Sequence, residues 1–198
     1  MGNSQQKMSI LICGDKGVGK HYIAKSLLES NFKEISNEEY RGRGKLGNEE
    51  EIECTLYIKS DVIDRKNKKN KESYYSRKFK KMNAAVFIFD FSNENSLKSM
   101  NHMIKDFESS RPGFSVAIIE NKFNGKLDVN PDKAQIDDTD DTIDKIFGLD
   151  YYKFPLISEG DKEDEIKKKK EEIEKIKKRI FGKVYYNMTG QSSTFQCC

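Results

Sequence analysis

Short runs of hydrophobic residues, rich in branched and aromatic side chains, occur four times along the chain. They cover residues 8–13, 84–91, 115–120 and 154–157, and their length is typical of buried strands in a parallel sheet. A fifth segment, residues 51–59, alternates hydrophobic and polar positions. That period of two predicts a half-exposed strand that is antiparallel or lies at a sheet edge.

Hydrophobic positions at helical spacing lie between these strands. Residues 20–30 and 95–107 each place hydrophobic side chains on one stripe, which predicts two helices that cover a sheet face. A shorter stripe falls in residues 143–147, and residues 161–180 predict a helix rich in Lys and Glu. The alternation of strands and helices predicts a three-layer α/β fold with a mostly parallel central sheet, one antiparallel edge strand and helices on both faces.

The length and composition are those of one folded domain. The chain has 198 residues, of which 35% are hydrophobic and 35% charged, and the clustering of the hydrophobic residues into runs allows a core. We expect a short extension at residues 1–7, one domain at residues 8–182 and a flexible tail at residues 183–198. No run resembles a signal peptide or a membrane span, so the expected location is the cytoplasm.

The charge balance argues against a nucleic-acid partner. The formal net charge is only +3, from 36 basic and 33 acidic side chains. Residues 65–81 are strongly basic, and they are interpreted as a solvated loop or frayed helix. The alternative is a surface for an acidic partner or for the anionic cytosolic leaflet of a membrane.

A glycine-rich loop follows the first predicted strand and opens the first predicted helix. Its residues are Gly14, Asp15, Lys16, Gly17, Val18, Gly19 and Lys20. The backbone N–H groups of such a loop and the helix N-terminus bind phosphates, and Lys20 would reach the outer ones. His21 stands where this motif has a Ser or Thr that ligates Mg²⁺. Imidazole is a poor ligand for that ion, so the metal is left open. His21 is counted among the phosphate-binding residues by its place in the motif, and its side chain is interpreted as facing solvent and not as catalytic.

A second polar motif follows the strand predicted at residues 115–120. It consists of Asn121, Lys122 and Asn124, at the carboxyl end of a strand, where open α/β sheets bind ligands. Together with the phosphate loop, this motif resembles the Ras-like small GTPases, in which Asn-Lys-x-Asp reads guanine. The resemblance covers residues 8–181 and implies GTP or GDP as the ligand.

The resemblance implies two further base contacts and one departure. Ser158 lies in a segment similar to the one that supports the base pocket in the family, and Phe32 stands where members carry an aromatic that stacks on the base. Asn124 replaces the family's Asp. Because an amide offers one acceptor where a carboxylate offers two, this change predicts weaker guanine binding and relaxed selectivity towards bases such as xanthine.

The residues that sense and hydrolyse the third phosphate in the family are missing. The sequence has no Thr between residues 21 and 55, no Gly between 47 and 113, and no Gln between 6 and 135. Asp64 stands at the spacing of the second-switch Asp, but Arg65 follows it in place of the expected turn. No catalytic residue is assigned, and hydrolysis is expected to be weak or lost.

Two adjacent cysteines, Cys197 and Cys198, follow a polar stretch. They are similar to the double-cysteine ending of Rab-type GTPases, which carry geranylgeranyl groups on both thiols. Two lipid chains give stable anchoring where one is marginal. The resemblance implies a peripheral location on the cytosolic face of an endomembrane, with trafficking effectors and the prenylation and extraction machinery as partners.

These features favour a divergent Rab-like small guanine-nucleotide-binding protein that acts in vesicle trafficking. One alternative is a catalytically dead pseudo-GTPase scaffold, in which nucleotide is structural or absent, and the missing switch residues favour it. A small phosphate-loop kinase is a second alternative. It would need an acceptor site and an arginine-bearing lid, and the sequence shows neither.

Overall fold

The computed structural model describes residues 7–28, 31–46, 50–59, 81–90, 92–110, 112–121 and 149–190. Several sequence predictions lie outside these residues: the basic segment up to residue 80, the hydrophobic stripe at 143–147, Asp64, Lys122, Asn124, Cys197 and Cys198. The described elements are β1 (Lys7–Cys13), α1 (Lys20–Leu27), β2 (Lys33–Ser36), β3 (Glu39–Lys45), β4 (Glu51–Lys59), β5 (Ala84–Asp90), α2 (Glu94–Ser110), β6 (Ser115–Asn121), β7 (Asp150–Lys153) and α3 (Glu163–Thr189).

All seven strands form one sheet in the order β2-β3-β4-β1-β5-β6-β7. The strand β1 pairs in parallel with β4 and β5, and β6 and β7 continue the parallel part. The strands β2 and β3 are antiparallel and form one edge. The predicted α/β fold is confirmed, with two antiparallel strands at the edge where the sequence predicted one. The antiparallel pairing expected of residues 51–59 is made with β3, while β4 itself lies inside the sheet.

Two hydrophobic layers cover the sheet, because successive strand residues point to opposite faces. One layer joins Ile10 and Ile12 of β1 to buried side chains of α1 and of the second half of α3. The other joins Leu11 and Cys13 to buried side chains of α2. Because β1, β5 and β6 are parallel neighbours, their carboxyl ends lie at the same end of the sheet.

The strand predicted at residues 154–157 is wrong by four residues, since β7 ends at Lys153. Phe154 is buried and its N–H still donates to the carbonyl of Glu120 at 2.8 Å. Pro155 has no N–H to continue the ladder, so the chain leaves the sheet there. The hydrophobic run therefore marks the start of the loop after β7, in which Phe154 is buried and residues 155–157 are half-buried.

Two helix ends also differ from the prediction. Helix α1 ends at Leu27 because Leu28 is extended, with φ −92° and ψ 157°. Helix α3 continues to Thr189 and stops at Gly190, which is left-handed and donates its N–H to the carbonyl of Tyr186 at 2.8 Å. The tail predicted from residue 183 is thus corrected, since residues 183–189 are helical and Val184 is buried. Among the described residues, no helix is both long and apolar enough to cross a membrane.

Candidate nucleotide-binding site

The glycine-rich loop connects the end of β1 to the start of α1, as predicted. Gly17 and Gly19 have φ values of 89° and 82°, in the left-handed region that glycine adopts without steric cost. A β-carbon on Gly14 would lie 2.4 Å from the carbonyl oxygen of Ile88 on β5. The loop therefore curls tightly and starts with its backbone pressed against the neighbouring parallel strand.

Lys20 is the first residue of α1 and only 4% exposed. Its ammonium group donates a hydrogen bond to the carbonyl of Asp15, so it reaches back over the loop. The N-terminus of α1 adds a partial positive charge and the backbone N–H groups of its first turn at the same place. The loop can thus offer an anion backbone donors, a helix dipole and one ammonium group, while Lys16 and Gly17 face solvent.

Asn121 joins the second motif to the first. It is the last residue of β6, is completely buried, and donates from Nδ2 to the carbonyl of Val18 at 2.9 Å, across 103 residues of sequence. Its Oδ1 atom is buried and has no hydrogen-bond partner among the described residues. Leaving such an acceptor unpaired costs about 1–3 kcal/mol. A ligand that offers an N–H group here, as a nucleotide base does, would remove that cost.

A tyrosine that the sequence analysis missed ties α1 to the other side of the pocket. The hydroxyl of Tyr22 accepts the N–H of Ile157 at 3.2 Å and donates to the carbonyl of Pro155 at 3.4 Å. Its ring meets Phe154 edge-on at 6.0 Å. Tyr22 therefore holds the loop after β7, which contains Ser158, against the helix that carries Lys20.

Ser158 is exposed and belongs to a turn that leads into α3. Its N–H donates to the carboxylate of Asp161 at 2.8 Å, and Lys169 donates to the same carboxylate oxygen at 2.7 Å. The Lys169 hydrogen bond, and then the Ser158 N–H, lower the pKa of Asp161. The turn is thus fixed by local hydrogen bonds, with the Ser158 side chain at the surface.

His21 is exposed, as predicted, but it is not simply solvated. Its Nδ1 atom lies 2.9 Å from the hydroxyl of Tyr40, which is 1% exposed on β3. Phe32 meets the Tyr40 ring edge-on at 5.9 Å, and Lys25 lies 5.6 Å above the ring and pairs with Glu34 at 3.3 Å. The structure therefore places Phe32 in a cluster around the first turns of α1, and its stacking on a base stays a prediction. No periodicity in residues 33–50 marks Tyr40.

A glycine-rich loop, a buried lysine at a helix N-terminus and a buried asparagine bonded to the loop define a phosphate-loop nucleotide-binding protein. The family model of the Ras family matches residues 9–154, which is more than half of the chain. The chain belongs to the Ras family, whose members are small GTP-binding proteins. A search of curated proteins found no match.

The family implies a Mg²⁺ ion beside the phosphates, and the residue at the ligand position does not fit it. Mg²⁺ requires oxygen ligands, and His21 presents an imidazole whose Nδ1 is already engaged by Tyr40. Among the described residues, no group of three His, Cys, Asp or Glu side chains is placed to hold a metal. Burial, with a contribution from Glu34, raises the pKa of Tyr40, so its hydroxyl stays neutral and is a poor metal ligand.

Proposed function

We propose that this protein is a divergent Rab-like guanine-nucleotide-binding protein that acts in vesicle trafficking at the cytosolic face of an endomembrane. The contact between Asn121 and the carbonyl of Val18 carries the nucleotide part of the proposal. It locks the predicted base-reading residue onto the phosphate loop, although the two motifs are far apart in sequence. A single ligand with a base and phosphates would contact both.

The proposal includes weak or lost hydrolysis. The sequence lacks the Thr, Gly and Gln that relatives use to sense the third phosphate and to position water. His21 in place of the metal-binding hydroxyl adds to this argument. A second candidate, a pseudo-GTPase scaffold with structural nucleotide or none, is favoured by the same observations. It differs in that GDP and GTP would bind its partners equally.

The membrane part of the proposal is supported by Cys197 and Cys198. Free cysteines are usually buried, as Cys13 and Cys54 are, whereas these two follow a polar stretch of Ser, Thr and Gln. Two geranylgeranyl groups on these thiols would anchor the protein stably and reversibly. Trafficking effectors and the prenylation and extraction machinery are the proposed partners.

The nucleotide part is tested by replacing Lys20 with Ala and titrating GDP and GTP into the purified full chain. Loss of one charged hydrogen-bond donor is worth about 1.5–3 kcal/mol, so we expect about 100-fold weaker binding. The matched control is Lys16→Ala, because Lys16 is an exposed lysine of the same loop, and its affinity should fall by less than about fivefold. Equal affinity of wild type and Lys20→Ala would refute the assignment of the loop.

Hydrolysis is tested by single-turnover incubation with GTP. Release of phosphate no faster than in the Lys20→Ala control would support lost hydrolysis, and clear turnover would contradict it. Selective binding of one partner to the GTP form, in a pull-down from cytosol with each nucleotide, would reject the scaffold. Equal recovery of partners with both nucleotides would favour it.

Lipid attachment is tested by expressing the chain in eukaryotic cells and measuring its mass and its membrane fraction. We expect a mass increase of two prenyl groups and recovery with membranes. Both should disappear in a variant with Cys197→Ser and Cys198→Ser, and both should persist in a control with Ser192→Ala and Ser193→Ala in the same stretch. An unmodified wild-type chain in the soluble fraction would refute the lipid anchor.

A further inference from the structure

The last turn of α3 carries an exposed aromatic side chain. Among the described residues, two large hydrophobic side chains are exposed, Tyr186 at 52% and Ile35 at 48%. The end of the helix is held on the domain by Val184, which is buried, and by Tyr185 and Met188, which pack against the core. Tyr186 does not take part in that packing. Its apolar ring and polar hydroxyl suit a boundary between water and an apolar phase.

The surface around Tyr186 is uncharged and open. Asn187 donates from Nδ2 to the carbonyl of Gly113 at 3.5 Å, which places the end of the helix beside the loop between α2 and β6. Pro112, Gly113 and Gly190 are exposed, and a β-carbon on either glycine would meet no atom within 4 Å. A flat partner can therefore approach the backbone closely here. The end surface, as we define it, comprises residues 112–113 and 186–190.

The end surface and the candidate nucleotide site lie at opposite ends of the sheet. Gly113 is two residues before Ser115, the first residue of β6, whereas Asn121 is the last residue of that strand. A strand of seven residues is about 23 Å long. A partner on the end surface would consequently leave the nucleotide site open.

The distance along the chain to the two cysteines brings one partner within reach. Cys197 follows Gly190 by seven residues, and that length of chain spans at most about 25 Å. Lipids on Cys197 and Cys198 would hold the end of α3 within that distance of a bilayer. The bilayer is thus the partner that the proposed anchor brings to the end surface.

The charges near the end surface favour an anionic bilayer. Residues 175–198 contain five basic side chains and no acidic one. Two carboxylates near this end are engaged within the domain, since Asp150 is 3.5 Å from Lys183 and Glu108 accepts the N–H of Gly113 at 2.8 Å. A basic residue close to an anionic leaflet contributes about 1 kcal/mol to binding.

We propose that the end surface rests on the cytosolic leaflet of the membrane, with the Tyr186 ring among the lipid headgroups, and that this contact orients the domain with its nucleotide site towards the cytosol. The inference rests on the proposed lipid anchor. It specifies which surface of the domain meets the bilayer.

The decisive experiment uses tryptophan, which the chain lacks. The full chain with Tyr186→Trp is coupled through Cys197 and Cys198 to maleimide lipids in vesicles of phosphatidylcholine and phosphatidylserine. Cys13 and Cys54 are buried and should not react. Lipids brominated near the headgroup should lower the tryptophan fluorescence by about twofold or more, because the ring is expected at the interface.

The matched control is Ile35→Trp. Ile35 has a similar exposure, and it follows Glu34, which pairs with Tyr40 on β3, so it lies towards the nucleotide end of the sheet. Its fluorescence should be the same with and without brominated lipids. Equal quenching of both variants would show that the domain has no preferred orientation and would overturn the proposal. So would an unquenched Tyr186→Trp, or stronger quenching of Ile35→Trp.

A second measurement separates the surface from the anchor. Prenylated chains are purified from eukaryotic cells and mixed with vesicles of the same two lipids. Tyr186→Ser should carry the same lipids as the wild type but should partition into the vesicles about fivefold more weakly, while Ile35→Ser should partition as the wild type does. Equal partitioning of prenylated wild type and Tyr186→Ser would overturn the inference and leave the anchor intact. A wild-type mass without prenyl groups would refute the proposed anchor and the inference with it.

Discussion

The parallel part of the sheet and its antiparallel edge, β2 and β3, contribute different residues to the candidate ligand site. The strands β1 and β6 end in the phosphate loop and in Asn121, so the site residues there are continuous with buried, hydrogen-bonded strands. The edge strand β2 is exposed along its whole length. The edge contributes to the site through one buried residue, Tyr40, which engages His21.

This difference shows which part of the nucleotide site the chain has kept. The parallel part holds the glycine-rich loop, the lysine and the asparagine that the proposed function assigns to a phosphate chain and a base. At the antiparallel edge, the segment after α1 is paired into the sheet as β2 and β3. Its Tyr40 hydroxyl lies within hydrogen-bond distance of the imidazole of His21, the residue that replaces the family's Mg²⁺ ligand. Under the proposed function, the chain would bind the ligand while it lacks the Thr, Gly and Gln with which relatives sense the third phosphate.

The largest effect is expected from a substitution at the contact between the phosphate loop and the parallel strand β5. In Gly14→Ala, the new β-carbon would meet the backbone oxygen of Ile88 at 2.4 Å, and backbone cannot give way cheaply. We expect the free energy of unfolding in urea to fall by about 3 kcal/mol, with GDP binding lost.

Two glycine controls show whether the effect belongs to the loop. Gly17→Ala meets no atom within 4 Å but has a φ of +89°, so it should cost only about 1 kcal/mol. Gly44→Ala on β3 would meet the buried ring of Phe181 at 2.7 Å, and should cost about 2 kcal/mol without changing GDP affinity. Equal losses of stability in Gly14→Ala and Gly17→Ala would contradict the steric argument.

The second prediction compares how well water is excluded at two buried thiols, Cys13 on β1 and Cys54 on β4, the strand that pairs with the antiparallel edge. Burial raises the pKa of Cys13 from 9.0 to about 12, although Lys20 and Lys59 partly oppose the shift, and burial also raises the pKa of Cys54. The Cys13 thiol ionises near pH 9 in the unfolded chain but only near pH 12 in the folded protein. Its contribution to the free energy of unfolding is therefore complete below about pH 9 and is lost as the pH rises towards 12. The expected slope of the unfolding free energy is about 1.4 kcal/mol per pH unit for each thiol.

The slope is measured by urea unfolding at several pH values above 9 in the wild type, in Cys13→Ala and in Cys54→Ala. Each single variant should lose one thiol's share of the slope, whatever its effect on stability at neutral pH. A full slope in Cys13→Ala together with a reduced slope in Cys54→Ala would mean that water reaches Cys13 at the carboxyl end of β1, and would contradict the burial argument for that thiol.

The third prediction concerns the hydrogen bonds by which Tyr22 holds the loop after β7. In Tyr22→Phe the N–H of Ile157 loses its acceptor and the carbonyl of Pro155 loses a donor, while the ring keeps its contact with Phe154. We expect a loss of about 1 kcal/mol in unfolding free energy and about fivefold weaker GDP binding. The control is Tyr186→Phe, which removes a hydroxyl from a residue that is 52% exposed. Equal GDP affinity of the two variants would show that the loop after β7 does not contribute to binding.

The smallest effect of nucleotide on hydrogen exchange is expected at the antiparallel edge, β2 and β3. In hydrogen exchange, GDP should protect amides of residues 14–20, whereas the amides of β2 and β3 should exchange at the same rate with GDP, with a GTP analogue and without nucleotide. The reason is that Tyr40 holds β3 through packing that involves no ligand. Protection of β3 by the GTP analogue alone would reveal a nucleotide-dependent switch at β2 and β3, and would contradict an edge that does not respond to the ligand.

The hydrophobic pattern predicted β1, β5 and β6 because each is a run of mostly hydrophobic residues. It placed the parallel strand β7 four residues too late, because β7 has a charged residue at each end and the hydrophobic run follows it. All seven residues of β5 are buried, so its assignment needed no tertiary information. The strands β2 and β3 escaped prediction for the opposite reason. Their residues are mostly charged or glycine, and they form strands because they pair with a neighbour and because Gly44 allows the Phe181 ring to approach. The extent of α3 was also missed, since its last turns are held by tertiary burial of Val184.

By itself, the sequence determined the α/β architecture, the phosphate loop and the asparagine at the end of β6, because hydrophobic period, glycine spacing and motif order are local properties of the chain. Only the tertiary structure decided that Tyr40 meets His21, that Tyr22 holds the loop after β7, and that Asn121 donates to the carbonyl of Val18. Each of these facts is a contact between segments distant in sequence. Such contacts depend on how the strands are ordered in the sheet, and no local pattern records that order.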